Sequence, residues 1–328
     1  MPRIFVSRAL PKSTIDMLTN AFGDSAVAVY PKDQVIERHE LLEGVRGIEA
    51  LLPILTETID VEVMEAAGPR LRIIANYAVG YNNINVAEAT KRGIAVTNTP
   101  GVLTETTADL AWALILGASR RIGEGERYLR AGNWKSWAPQ MLLAWDVYGK
   151  TLGIFGMGRI GQAVARRALG FGMRTIYHSR SQKDAALERE LNAAYVDLKT
   201  LLAESDVLSL HCPLSAETRH AFGADQFRKM KRTAIFVNTT RGPVVDEAAL
   251  AAALLSGEIA AAGLDVFEHE PKVHPELLKC ENALLLPHMG SGTIQTRTRM
   301  AEIAATNIVE FLSGRRPPNC VNPEVLRA

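Results

Sequence analysis

A chain of 328 residues, 47% apolar and 22% charged, has room for two globular domains, each with its own core. Its formal net charge of +1, without a long basic run, argues against nucleic acid as the main partner, and its longest apolar run, residues 110–118, is too short to cross a bilayer. The N-terminal MPRIFVSRAL lacks the apolar stretch of a secretion signal, and Cys212, Cys280 and Cys320 are scattered without metal-ligand spacing. The expectation is a reduced, cytoplasmic setting with structural cysteines, no metal and no membrane contact.

In chain order, apolar runs at 4–7, 50–52, 73–75 and 95–97 read as strands, with helical patterns between them at, for example, 13–21 and 86–92. A second series follows, with strands at 152–155, 175–178, 207–210, 235–238, 262–264 and 283–286. Alternation of strand and helix through short loops predicts parallel sheets covered by helices. Two such series predict an α/β protein of two doubly wound, Rossmann- or flavodoxin-like domains. The last helical pattern, 293–312, ends at Ser313-Gly314 before Pro317-Pro318, a conventional stop.

The first two strands of the second series enclose TLGIFGMGRIGQAVARRALGFGMRTIYHSR, where Gly156, Gly158 and Gly161 form G-x-G-x-x-G around Met157, Arg159 and Ile160. Strand, glycine loop, helix and second strand are the fingerprint of a dinucleotide site. The first glycine permits the tight turn, the second lets the backbone approach a pyrophosphate, and the third lets the helix pack closely on the sheet. Ile160, Val164 and Ala168 fall on one helical face and Arg159, Gln162 and Arg166 on another, so the glycines open an amphipathic helix.

Three further strand exits carry more polar residues than a turn needs: VNTTRGPVVDE (237–247), LDVFEHEP (264–271) and LLPHMGSGT (285–293). Open parallel sheets bind ligands at such exits. An arginine, acidic residues and a histidine there are the set that hydride transfer to a small keto acid requires. A cation binds the carboxylate and polarises the carbonyl, an imidazolium protonates the nascent alkoxide, and a carboxylate orients and charges the imidazole.

With these residues in view, the whole chain resembles the D-isomer-specific 2-hydroxyacid dehydrogenases, and among them it is most similar to the glyoxylate/hydroxypyruvate reductases. The likeness runs through RIIANYAVGYNNI (72–84), VTNTPGVLTETTADLAW (96–112), the glycine fingerprint, HCPLSAET (211–218) and the three exits above. It implies a catalytic arginine at Arg241, a carboxylate at Glu270 and an acid/base histidine at His288. The implied substrate contacts are the Val79-Gly80 backbone, Arg241 and His288. The implied cofactor contacts beyond the glycine loop are Thr107, Ser179, Arg180, Ser181, Cys212, Pro213, Thr239, Thr240, Asp265 and Gly290, with Asp265 facing the nicotinamide amide. Glu268 competes with Glu270 for His288, and the family's spacing from Arg241 favours Glu270. Met289 stands where isoleucine is usual, a change expected to alter packing alone. The resemblance also implies a split substrate-binding domain (1–99 and 290–328), a nicotinamide-binding domain (100–289), a cleft between them that closes on the substrate, and a homodimer built on residues 100–147. Trp134, Trp137 and Trp145 serve packing or that interface on the residues alone. In similar reductases a tryptophan of this region reaches the partner's pocket, and Trp137 matches it best.

Dinucleotide sites for NAD end their second strand with an acid on the ribose. Here Ser179-Arg180 stands instead, with Lys183 close behind. A carboxylate about 5 Å from a 2′-phosphate costs roughly 3 kcal/mol per unit charge at an effective dielectric of ~20, less after screening, and a guanidinium turns repulsion into a charge-assisted contact. NADP(H) is therefore the expected cofactor, with NAD(H) as the alternative. Rival activities within the fold are 2-ketogluconate or D-lactate chemistry. A nucleotide-sensing corepressor-like scaffold is disfavoured because the chain starts close to its first strand and ends close to its last helix.

Overall fold

Short apolar runs without inside–outside alternation suit strands covered on both faces, as parallel sheets require. The structure is a computed structural model that describes residues 3–327. Its strands are β1 (Ile4–Val6), β2 (Val27–Val29), β3 (Ala50–Leu52), β4 (Ile73–Ala75), β5 (Ala95–Thr97), β6 (Thr151–Phe155), β7 (Arg174–His178), β8 (Ala193–Tyr195), β9 (Val207–Leu210), β10 (Ile235–Asn238), β11 (Ala261–Leu264) and β12 (Ala283–Leu285). The chain divides into two compact units, Met1–Leu103 with Gly292–Ala328, and Thr104–Ser291.

The first unit holds a parallel sheet of order β2-β1-β3-β4-β5, the flavodoxin-like winding. Ile4, Val6, Ala50, Leu52, Ile73 and Ala75 face Ala304, Ala305 and Ile308 of the helix Ile294–Leu312. Phe5, Leu51, Ile74 and Val96 project to the other side and pack with Val63, Met64 and Ile84. The alternation follows from the two-residue period of a strand. Thr293 caps the long helix by accepting from Thr296 N, and Gly314, at φ +79°, turns the chain out of it.

The returning chain then covers the β5 edge. Val321 N donates to Val96 O at 2.7 Å and Asn98 N to Asn319 O at 3.2 Å. Asn322, 2% exposed, accepts from Val96 N at 2.8 Å and donates to Ile94 O at 2.9 Å. Asn322→Ala strips both backbone groups of their partner, and such buried orphans cost about 1–3 kcal/mol each. We expect a loss of about 2–3 kcal/mol in urea unfolding, seen as a lower midpoint at unchanged slope.

The second unit holds a parallel sheet of order β12-β11-β10-β9-β6-β7-β8, a doubly wound order with its switch point between β6 and β9. Leu208, Leu210, Phe236 and Leu264 line one core, and Leu152, Ile154, Ile235 and Val237 the other. The helix Thr104–Ser119, apolar nearly all round, lies on the second core; Gly263 is bare where a Cβ would be 2.9 Å from Leu114. The Trp112 indole donates to Val164 O at 3.0 Å and so ties this helix to the one that follows the glycine loop. In that helix, Arg159–Ala168, Val164 and Ala168 are fully buried and Arg166 reaches out to Glu190.

The strand readings hold for ten of the twelve strands within a residue or so; β2 and β8 were not foreseen. Each is an edge strand of its sheet, short and only partly buried. No helix among the described residues is long and apolar enough to cross a membrane. The three cysteines are free thiols, Cys212 and Cys280 buried and Cys320 half-buried.

Candidate active site

The glycine loop leaves β6 with each glycine under a different constraint. Gly156 has φ +104°, and a Cβ there would lie 2.7 Å from His211 and Cys212 backbone atoms at the β9 exit. At Gly161 a Cβ would collide with the Gly156 carbonyl oxygen, so the helix seats on the loop only without a side chain. Gly158 is different. Its φ of −80° suits any residue, and a Cβ there would have no neighbour within 4 Å. The fold itself does not require glycine there. A bare residue keeps the space at the N-terminus of a ten-residue helix clear, where free N–H groups and the helix dipole suit a pyrophosphate. The residues present therefore fit a dinucleotide.

Ser179 does more than lack a charge. Its Oγ accepts from Met157 N at 2.8 Å, tying the β7 exit to the glycine loop, while Tyr195 Oη donates to Ser179 O at 3.2 Å. Arg180 and Ser181 are exposed, and Lys183 is half-buried. Cys212 is buried, and burial pushes its thiol up to about 11, which leaves it protonated and unreactive. Pro213 O accepts from Thr218 Oγ1. His211 is pulled down to about 3 by burial and its Nε2 meets Ser209 Oγ at 2.9 Å, a neutral ring packed beneath the loop.

The chemistry-bearing exits belong to β10, β11 and β12, which are neighbours in the sheet. At the β12 exit His288 has φ +53°, with its N–H donating to Asp265 O at 2.9 Å and Leu286 O at 3.1 Å. The fully buried Asp265, just after β11, accepts from Met289 N at 2.5 Å and Gly290 N at 2.7 Å. Thr107 Oγ1 donates to Gly290 O at 3.1 Å. The histidine turn is thus held from both sides, and its Nδ1 lies 2.8 Å from Glu270 Oε2. Glu270 Oε1 accepts from Phe267 N at 3.0 Å. Glu268 pairs with His220 at 2.5 Å, so Glu270 and not Glu268 is the partner of His288.

Arg241 sits in a turn braced by Asn238, whose Oδ1 accepts from Thr240 N and Oγ1 and whose Nδ2 donates to Arg241 O at 3.1 Å. Thr239 is buried beside it. Gly242 lets this turn press on the next: a Cβ there would overlap the Phe267 carbonyl and Glu268 N. Glu247, also buried, accepts from Glu268 N and from His274 N, anchoring the loop that carries Glu270. Asn238 and Glu247 escaped the sequence reading. The motif TTRG immediately after Asn238 was the available signal; Glu247 had none.

Electrostatics follow the packing. Burial alone would raise the Glu270 carboxyl, but the bond and charge of His288, the Phe267 N–H and the Arg241 charge together hold it below the ordinary carboxylate range. Burial pulls the Arg241 guanidinium down, and Glu270 opposes that fall. Burial also pushes Asp265 up, against the two amides and the His288 charge that favour its ionised form. The arrangement is a cation, and an imidazole whose Nδ1 is spoken for by a carboxylate, leaving Nε2 for a proton transfer. In the first unit the Val79-Gly80 turn follows β4, half-buried. Trp145 packs on the second unit's core, whereas Trp134 is 52% and Trp137 76% exposed. Among the described residues no group of three or more His, Cys, Asp or Glu side chains forms a metal site.

A doubly wound sheet with this glycine loop at its switch point, and an arginine and a histidine–carboxylate pair at its strand exits, defines a dinucleotide-binding oxidoreductase. Residues 112–290 match the family model for the NAD-binding domain of D-isomer-specific 2-hydroxyacid dehydrogenases. The chain belongs to that family. It is 54% identical over 329 residues to the glyoxylate reductase of Korarchaeum cryptofilum, covering 99% of this chain and 97% of that one. A solved protein of Thermus thermophilus superposes with a TM-score of 0.90 at 45% identity, over 97% of this chain and 99% of that one. The NADPH-dependent glyoxylate/hydroxypyruvate reductase of Sinorhizobium meliloti, solved with NADP and malonate, superposes at 0.83 with 34% identity, over 98% and 96% of the two chains.

Proposed function

We propose that this chain is an NADPH-preferring reductase of small 2-keto acids, taking glyoxylate to glycolate and hydroxypyruvate to D-glycerate. The observation that carries the reading is the His288–Glu270 pair at 2.8 Å in loops adjoining the Arg241 turn. Bound nicotinamide supplies a hydride to the carbonyl carbon. Arg241 binds the keto acid and polarises its carbonyl, and the Val79 and Gly80 amides take the carboxylate. His288, with Nδ1 on Glu270, delivers the proton from Nε2 to the carbonyl oxygen, so hydride and proton together make the hydroxyl. Glu270 keeps the imidazole charged and oriented. Reduction consumes the proton that His288 delivers, so the balance moves toward oxidation of the hydroxy acid as the pH rises. The acid limb that Glu270 sets lies below the ordinary carboxylate range near about 4, because its carboxyl is held down.

The preference for NADPH is supported by Ser179 in place of an acid, by the exposed Arg180, and by a similar reductase that is NADPH-dependent. NADH is the alternative cofactor. Steady-state rates on glyoxylate, hydroxypyruvate, pyruvate and 2-ketogluconate, each with NADPH and NADH, test the reading. We expect glyoxylate and hydroxypyruvate to lead and NADPH to exceed NADH by about tenfold or more in kcat/KM. Best turnover on 2-ketogluconate or pyruvate would assign the chain to a sister activity, and none on any of the four would remove the reading.

We also propose a cytoplasmic homodimer in which residues 100–147 meet a second copy, since Ile122, Leu129, Trp134, Trp137 and Leu143 are exposed there. Light scattering at micromolar concentration is expected to give twice the 35.8 kDa chain mass. A monomer would exclude both this interface and a role for Trp137 in a partner's pocket.

A further inference from the structure

Every carbonyl from Ala78 to Gly80, in the turn after β4, is held by the unit's own groups. Ala78 O accepts from Thr99 N at 3.0 Å, Val79 O from Asn98 Nδ2 at 2.8 Å, and Gly80 O from Asn76 Nδ2 at 2.9 Å. A trans peptide plane carries its N–H opposite its C=O. The N–H groups of Val79, Gly80 and Tyr81 therefore face away from these partners, and none of the three donates to another described residue.

Of the two side-chain amides doing the holding, Asn98 is half-buried and Asn76 is itself locked. Asn76 is fully buried, and it and Asn83 exchange Nδ2–Oδ1 bonds at 3.2 Å. Asn83 Nδ2 also donates to Ile54 O and Glu57 O at 3.2 Å. Glu57, 4% exposed, accepts from Ile54 N at 2.6 Å, Ser7 Oγ at 2.8 Å and Thr56 Oγ1 at 2.8 Å. Ser7, Ile54 and Asn76 follow β1, β3 and β4, so one polar network spans three strand exits and terminates on the turn. A surface turn can give its carbonyls to water. Committing the buried Asn76 amide to one of them, with the buried Glu57 carboxylate bracing the loop behind it, is costly unless the turn's orientation matters.

We propose that Asn76 and Asn98 are positioning residues of the keto-acid site, which hold the Val79, Gly80 and Tyr81 N–H groups outward as a three-donor cradle for the substrate carboxylate. This rests on the reading above that the turn takes that carboxylate; the asparagines and the Tyr81 N–H are the additions. A cradle of amide donors favours an anion over an uncharged carbonyl compound. Glyoxylate should therefore be preferred to glycolaldehyde.

The test measures KM and kcat for glyoxylate, the Kd of oxamate on NADPH-loaded enzyme by calorimetry, and the Kd of NADPH alone, for wild type, Asn98→Ala, Asn98→Asp and Asn76→Ala. Asn98→Ala is expected to raise KM and the oxamate Kd together by about tenfold, with kcat at saturation and NADPH affinity within about twofold. Asn98→Asp, which keeps the shape but replaces the donor with a charge, is expected to be worse. A purely structural role predicts lower thermal stability with KM and oxamate affinity unchanged, and that outcome in the Asn98 pair overturns the inference, whether or not Asn76→Ala folds. Failure of the wild type to reduce any 2-keto acid would instead strike the functional reading, and oxamate affinity alone would then judge the asparagines. A crystal structure with oxamate should place a carboxylate oxygen about 3 Å from Tyr81 N; a separation beyond hydrogen-bond reach removes the third donor.

Discussion

His288→Ala is expected to lower kcat for the proposed reduction by about 10²–10⁴-fold while NADPH binds with wild-type affinity. The size follows from the geometry. Nδ1 is committed to Glu270 at 2.8 Å, so the ring is fixed in one orientation and offers a single nitrogen, Nε2, to a substrate. Alanine removes the proton donor outright and no neighbour replaces it. Glu268 is engaged with His220, and Asp265 is fully buried and spent on the amides of Met289 and Gly290. Cofactor affinity should be spared because the glycine loop is built on β6 and β7, and because the His288 turn is bonded to Asp265 through backbone amides that alanine keeps. Glu270→Gln is the sharper companion. It preserves the shape and one hydrogen bond but deletes the charge that favours the imidazolium. It should lose less rate than His288→Ala and move the reductive pH profile to lower pH. Stopped-flow turnover with parallel fluorescence titration of NADPH reads both. Wild-type turnover in His288→Ala would remove His288 from the chemistry.

The central strands and the amphipathic glycine helix could be read from sequence because burial on both faces demands runs such as Val207–Leu210, and a 3.6-residue period puts Val164 and Ala168 on one face. The edge strands β2 and β8 could not. Val27–Val29 and Ala193–Tyr195 lie in the apolar stretches 26–30 and 193–196, but each is three residues long and partly exposed at a sheet edge, so pairing with a neighbour and not burial makes it a strand. The arginine, histidine and competing glutamates were visible as residues at strand exits, yet their pairing is a property of three dimensions. Which glutamate meets His288 depends on how the Gly242 turn presses on Phe267 and where Glu247 anchors the loop, contacts among residues far apart in sequence. The same holds for Asp265, whose carboxylate the structure shows bonded to the histidine turn, and for Asn238 behind Arg241. Supporting residues of this kind have no motif of their own.

Ser179 joins both levels, since its missing charge was legible and its hydrogen bond was not, and Ser179→Asp separates the two. The hydroxyl accepts from Met157 N at 2.8 Å, so the residue is a strut of the glycine loop as well as an uncharged neighbour for a ribose phosphate. An aspartate can accept from the same N–H and should keep the loop in place. What changes is the field: a carboxylate about 5 Å from a 2′-phosphate costs roughly 3 kcal/mol per unit charge before screening, and each 1.4 kcal/mol is about tenfold in affinity. After screening we expect the KM for NADPH to rise about 10–100-fold. The KM for NADH should fall, because the new carboxylate can take the ribose hydroxyls. Ser179→Ala removes the strut without adding charge, so it should weaken both cofactors by a similar, smaller factor. Arg180→Ala should weaken NADPH alone. Equal losses for both cofactors in Ser179→Asp would mean that the strut, and not the missing charge, is what this position contributes, and the preference for NADPH would then have to rest on Arg180.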